Sequence, residues 1–180
     1  DPTVRTVAAT LFDIGARQRS TGPRAMAVAA VGAADLSAVA PDDEVVRAVL
    51  ADALVSIGRP ISSTWCWPEH DLTYANAALA EAVVAAGAAL GDEHALDDGL
   101  AMLGWLLTRW TREGRLSVTG SDGDEEGEMS FDQQPIEEAA LADACWRAYT
   151  LTSDHRWAEG VIAADRWFDG HNDAGAVVHD

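Results

Sequence analysis

Ala77-Ala-Leu-Ala-Glu-Ala82 recurs 62 residues later as Ala139-Ala-Leu-Ala-Asp-Ala144. The same shift carries Asp92 onto Asp154, Ala101 onto Ala163 and Trp105 onto Trp167. The match therefore runs over two successive helix-forming segments. It predicts two helical hairpins built alike. Repeated helical hairpins stack into solenoids or close into α/α toroids, because one hairpin cannot bury its apolar face alone.

Outward from the repeat, the pattern predicts an all-α chain. Seven helices are expected, over 3–18, 23–35, 42–57, 73–90, 93–113, 135–151 and 154–169, with no strand. In 42–57, Val45, Val46, Val49, Leu50, Ala53, Leu54 and Ile57 fall at helical spacing. In 93–113, Leu96, Leu100, Leu103, Leu107 and Trp110 form one stripe, and Met102, Trp105 and Leu106 begin a second. A helix apolar on two faces packs on two sides. Gly91 stops one helix and Asp92 caps the next; Ser153 and Asp154 repeat the arrangement. Pro41, Asp42 and Asp43 begin the third helix.

The chain has 180 residues, room for one domain with a sizeable core. Its formal charge is -18, from 30 acids and 12 bases. Such a field repels phosphate backbones and anionic membranes, so neither nucleic acid nor membrane is an expected partner. All the bases are arginine, which excludes lysine nucleophiles and Schiff bases within this chain. With the abundant alanine, that usage suggests a GC-rich bacterial genome. Cys66 and Cys145 lack metal-ligand spacing and are expected as reduced thiols. No apolar run reaches the ~18 residues of a membrane span, and no signal peptide is visible. The chain opens on Asp1, so the native N-terminus is expected to lie beyond it; a cytoplasmic location is the default. No nucleotide-binding or nucleophile-elbow glycine pattern occurs, and no cofactor is expected. "HALDD" (94–98) lacks zinc-site spacing.

The repeat places two loops at one end of the assembly. The first reads Trp65-Cys-Trp-Pro-Glu-His-Asp-Leu-Thr-Tyr74, with Asn76 just inside the following helix. The second reads Ser130-Phe-Asp-Gln-Gln-Pro-Ile-Glu137, after the acidic run Ser121-Asp-Gly-Asp-Glu-Glu-Gly-Glu128. Both precede helix N-termini, where amide N–H groups and the dipole favour anionic or hydroxyl-rich ligands. Aromatic faces stack on the C–H face of a pyranose, and Asp, Asn and Gln fork onto hydroxyl pairs. Two spaced carboxylates are the working parts of glycoside hydrolysis.

Each residue also has a purely structural reading. Trp65 and Trp67 could seal the hairpin tops. Thr73 suits an N-cap, and Glu69 and Asp71 complement a helix N-terminus. His70 has no evident partner. Pro135 holds Gln134 out of the α region, so a helix starts at Pro135 and Glu137 falls at the capping-box position. Asp132 and Gln133 precede the cap and have no local role. The acidic run resembles the start of a calcium loop, but Gln133 stands where a bidentate glutamate belongs, so a mobile acidic lid is expected and no metal.

Trp65-x-Trp67, Glu69, Leu72-Thr-Tyr74, Asn76, Gly91-Asp-Glu93, Phe131-Asp-Gln-Gln-Pro-Ile-Glu137, Trp167-Phe168 and Asn172-Asp173 together resemble a bacterial helical domain. That domain occurs fused to, or encoded beside, sugar-nucleotide glycosyltransferases. It is similar to the six-hairpin glycosidase superfamily, whose α/α toroids include glycosidases and sugar epimerases. The resemblance covers roughly residues 65–175, with 131–137 its most specific part.

The resemblance implies a carbohydrate-active toroid. Asp132 and Glu69 would be its acid/base pair. Trp65, Trp67, Asp71, Tyr74, Asn76, Gln133, Gln134 and Glu137 would contact the sugar. The chain departs from the pattern at Ala75, where an aspartate is expected, and in lacking a tryptophan within 118–128. Those departures favour the alternative of a non-catalytic sugar-binding or scaffolding domain serving a glycosyltransferase. A helical repeat that binds protein is a further alternative. Seven helices fall short of the twelve in a six-hairpin ring. The domain is therefore expected to be a fragment of a toroid, or to be completed by a second copy. Apolar faces such as that of 93–113 would otherwise lie bare.

Overall fold

A computed structural model describes residues 2–120 and 132–178. Among these residues the chain forms seven helices and one two-stranded ribbon. The helices are α1 (Pro2–Gly15), α2 (Pro23–Ser37), α3 (Glu44–Ile57), α4 (Asn76–Leu90), α5 (Glu93–Trp110), α6 (Pro135–Thr152) and α7 (His155–Phe168). The ribbon pairs β1 (Thr111–Arg112) with β2 (Arg115–Leu116).

Several boundaries follow from the chemistry that predicts them. Asp43 accepts from the Val45 and Val46 N–H groups at the start of α3. Asp92 caps α5 through Ala95 N–H, and Asp154 caps α7 through Arg156 N–H. Gly91 and Ser153 both end their helices in the left-handed region.

Three boundaries differ from expectation by three residues; α1, expected to run to 18, ends at Gly15. The helix expected to run to 113 stops at Trp110. Glu113 and Gly114 both take positive φ, a two-residue turn that suits a twisted hairpin, and the chain doubles back as β1–β2. The helix expected from 73 begins at Asn76. Thr73 is not its cap. Ala75 adopts a left-handed conformation there, and the Asn76 side chain reaches back to accept from Thr73 N–H at 3.0 Å.

The helices pack as consecutive pairs: α2 on α3, α4 on α5 and α6 on α7. The first members of the pairs, α2, α4 and α6, lie side by side in chain order. Helix α4 is buried along most of its length because α2, α3, α5 and α6 all cover it. Its alanines and Gly87 suit that place, since small side chains let neighbours approach. The α5 faces, expected to need a second copy or further residues to cover them, are covered within the described residues: Leu103, Leu106 and Trp110 are buried, and Leu100, Trp105 and Leu107 are partly covered. No described helix is long and apolar enough to cross a membrane. Cys66 and Cys145 are both free thiols, and burial pushes the Cys145 thiol up to about 12.

Candidate functional site

The N-termini of α2, α4 and α6 meet. Arg24, in the first turn of α2, grips Glu69 with two bonds of 2.9 Å, one to each carboxylate oxygen. The same guanidinium donates to Asn76 Oδ1 at 3.4 Å and to the Tyr74 carbonyl. Asn76, the first residue of α4, donates from its backbone N–H (3.1 Å) and from Nδ2 (3.2 Å) to Glu137 Oε2 in the first turn of α6. One chain of contacts thus ties three helix starts together, as a bidentate Arg–carboxylate pair and an anionic acceptor at a helix N-terminus do well. The starts of α4 and α6, into which the two loops lead, lie side by side.

The predicted site residues sort into three groups. Glu69, Tyr74, Asn76 and Glu137 come together at the mouth. Tyr74 is 60% exposed, and Arg24 lies over its ring at 4.8 Å from the centroid. Asp71, Asp132 and Gln134 are exposed on the two segments that flank the mouth. Trp65, Trp67 and Gln133 are directed elsewhere.

The tryptophans serve the hairpin top. Trp67 is fully buried and stacks on Trp105, with centroids 6.1 Å apart. Trp65 meets Trp105 edge-on at 5.0 Å and donates from Nε1 to the Glu69 carbonyl at 2.6 Å. Arg109 covers both the Trp65 and Trp105 rings. Trp67 therefore offers no face to a sugar. Gln133 pairs with Gly120 in an isolated bridge, and its Nε2 donates to Asp173 at 2.8 Å. Asp173 also accepts from Ser117 (2.6 Å) and Arg115 (2.9 Å), and Trp167 Nε1 donates to Gln133 Oε1 at 3.3 Å. Burial opposes ionisation of Asp173, but these bonds outweigh it and hold the carboxyl below its usual range. Gln133 has a structural partner set that no local pattern revealed. The acidic run 121–128 and Phe131 lie outside the described residues, as do the lid and calcium readings attached to them.

Glu137 is not a capping box for its own helix. It caps α4 instead, and burial, opposed by the bonds from Asn76 and Ala75, still raises its carboxyl. Its neighbour Glu138 is completely buried, with no partner for either oxygen among the described residues. Burial, together with the Glu137 charge, pushes it up to about 8, so it is largely protonated at neutral pH.

The loop motifs do not predict one concavity. It lies across α2, α4 and α6, has a volume of about 420 Å3, and is lined by Asp35, Glu81, Asp143, Trp146 and Arg147, with Val31 and Thr150. Arg147 bonds Glu81 at 2.8 Å and Asp35 at 3.1 Å. Burial raises the Glu81 carboxyl against the pull of Arg147, and Asp143 and Asp35 add to the rise. Trp146 is 59% exposed, 5.9 Å from Tyr149. The repeat itself carries the signal. Its one acidic position, Glu81 in the first copy and Asp143 in the second, lines this pocket from both helices.

Among the described residues no group of three or more His, Cys, Asp or Glu side chains is placed to hold a metal ion. No protein-family model, curated protein or solved structure matches the chain.

Proposed function

We propose that the chain is a carbohydrate-binding domain, an arc of an α/α toroid whose ligand lies at the N-terminal mouth of α2, α4 and α6. The observation that carries this reading is the convergence of three helix N-termini on the Arg24–Glu69–Asn76–Glu137 chain, beside an exposed Tyr74. Arg24 backs one face of the Tyr74 ring, which leaves the other for the C–H face of a sugar. Asp71, Asp132 and Gln134 supply acceptors and donors for hydroxyls at the rim. Binding is favoured over catalysis because the inner carboxylates are committed: Glu69 to Arg24, Glu137 to the start of α4. The resemblance adds a partner, a glycosyltransferase domain whose glycan this domain would hold.

The test is titration calorimetry against neutral oligosaccharides chosen from a glycan array. Tyr74→Ala is expected to weaken binding about tenfold, near the upper end of an aromatic contact, with an unchanged Tm because the ring is exposed. Retention of no glycan by the wild-type chain would sink the reading. Hydrolysis or epimerisation that Asp132→Asn abolishes would replace it with a catalytic one.

A further inference from the structure

The pocket across α2, α4 and α6 has its own chemistry. Three carboxylates, Asp35, Glu81 and Asp143, face a single guanidinium, Arg147. Arg147 is already engaged by Glu81 and Asp35. Asp143 has no cationic partner among the described residues. Beside it stands the exposed indole of Trp146, the side chain whose face attracts cations best. Excess negative charge and an aromatic face coincide at an open concavity.

The pocket is also separate from the mouth. Asp143 lies six residues beyond Glu137 on α6, and Glu81 five beyond Asn76 on α4. At 1.5 Å per residue that sets the pocket roughly 7.5–9 Å further along the helices. The repeat supplies an acid at the equivalent position of each of these two helices.

We propose that this pocket binds a compact organic cation, an ammonium or guanidinium group seated on the Trp146 face and held by Asp143 and Glu81. The carboxylates accept its N–H donors, while the indole takes its less hydrated side. Anionic ligands are rejected by the same charges. The ammonium of an amino sugar and the guanidinium of an arginine-like molecule share this chemistry. Cation binding here does not depend on the carbohydrate reading, which concerns the mouth.

The experiment is calorimetric titration of the full chain with glucosamine and with agmatine, using glucose as the neutral comparator. Either cation binding in preference to glucose supports the inference, and the two arms tell ammonium from guanidinium. Trp146→Ala is expected to weaken the bound cation roughly 3- to 30-fold, and Trp146→Phe less. Asp143→Asn should weaken it as well. Asp97→Asn removes an equal charge from an exposed position on α5 and should leave the affinity unchanged. Trp146 and Asp143 are both exposed, so thermal melts of their variants should match wild type. The inference is overturned if neither cation binds, if glucose binds as tightly, or if Asp97→Asn weakens binding as much as Asp143→Asn. Loss of oligosaccharide binding in Tyr74→Ala with cation binding intact would show the two sites to be independent.

Discussion

Glu137 and Glu138 are sequence neighbours with opposite circumstances. Glu137 directs its charge at the start of α4, while Glu138 has no partner among the described residues. A buried carboxyl that prefers its proton makes stability depend on pH. The folded state keeps the Glu138 proton up to about pH 8, whereas the unfolded chain gives it up near the ordinary value of 4.5. The folded state therefore binds more protons across that window, and stability falls as pH rises from about 4.5 to about 8. Glu138→Gln removes the titration without a large change in volume. Its Tm relative to wild type is expected to rise between pH 5 and pH 8, as read by circular dichroism melts at both values. A difference that does not change with pH would mean that Glu138 ionises normally.

At the scale of the element, hairpin packing rests on glycines that the hydrophobic pattern passes over. A Cβ on Gly99 of α5 would lie 2.6 Å from the Val84 backbone N of α4, and one on Gly160 of α7 would lie 2.6 Å from Cys145 Sγ of α6. Each hairpin thus has a glycine where its two helices cross, although the 62-residue shift does not superpose the two positions. Alanine is the better helix former by about 1 kcal/mol, yet a contact with backbone cannot relax by a rotamer change. Gly99→Ala is therefore expected to destabilise the fold by about 2 kcal/mol or more in urea denaturation; a stabilised variant would show that α4 and α5 can separate freely. Element ends divide on similar grounds. Gly91–Asp92 and Ser153–Asp154 are legible because caps are local chemistry. The ribbon after Trp110 is not, because Glu113 takes positive φ against its own preference, in a turn closed by the pairing of β1 with β2, and β2 packs against α7. Trp67 and Gln133 mislead for the same kind of reason. Their partners, Trp105 and Asp173, lie 38 and 40 residues away and belong to other parts of the fold.

Over the molecule as a whole, burial is uneven. Helix α4 is enclosed by four others, while none of the α1 residues whose burial is described is fully buried. Val4, Val7, Leu11 and Ile14 form an exposed apolar stripe along α1, and only Phe12 and Ala16 near its end reach the core. Local stability follows local burial. Native-state hydrogen exchange is expected to find the α1 amides among the fastest of the helices and those of α4 close to the global unfolding limit. Protection of α1 equal to that of α4 would show that its stripe is covered in solution.

Sequence alone dictates the all-α class, the seven helices and most of their caps. Helical period, capping chemistry and repetition act over distances of one or two turns, so they can be read along the chain. Which side chains remain available to a ligand is a matter of tertiary packing. That packing buries Trp67, turns Gln133 toward Asp173, binds Glu69 to Arg24, and opens a pocket between Glu81 and Asp143, the acids of the repeat itself. Those outcomes depend on how helices and the segments between them pack, and that packing is set by contacts between residues far apart in the chain.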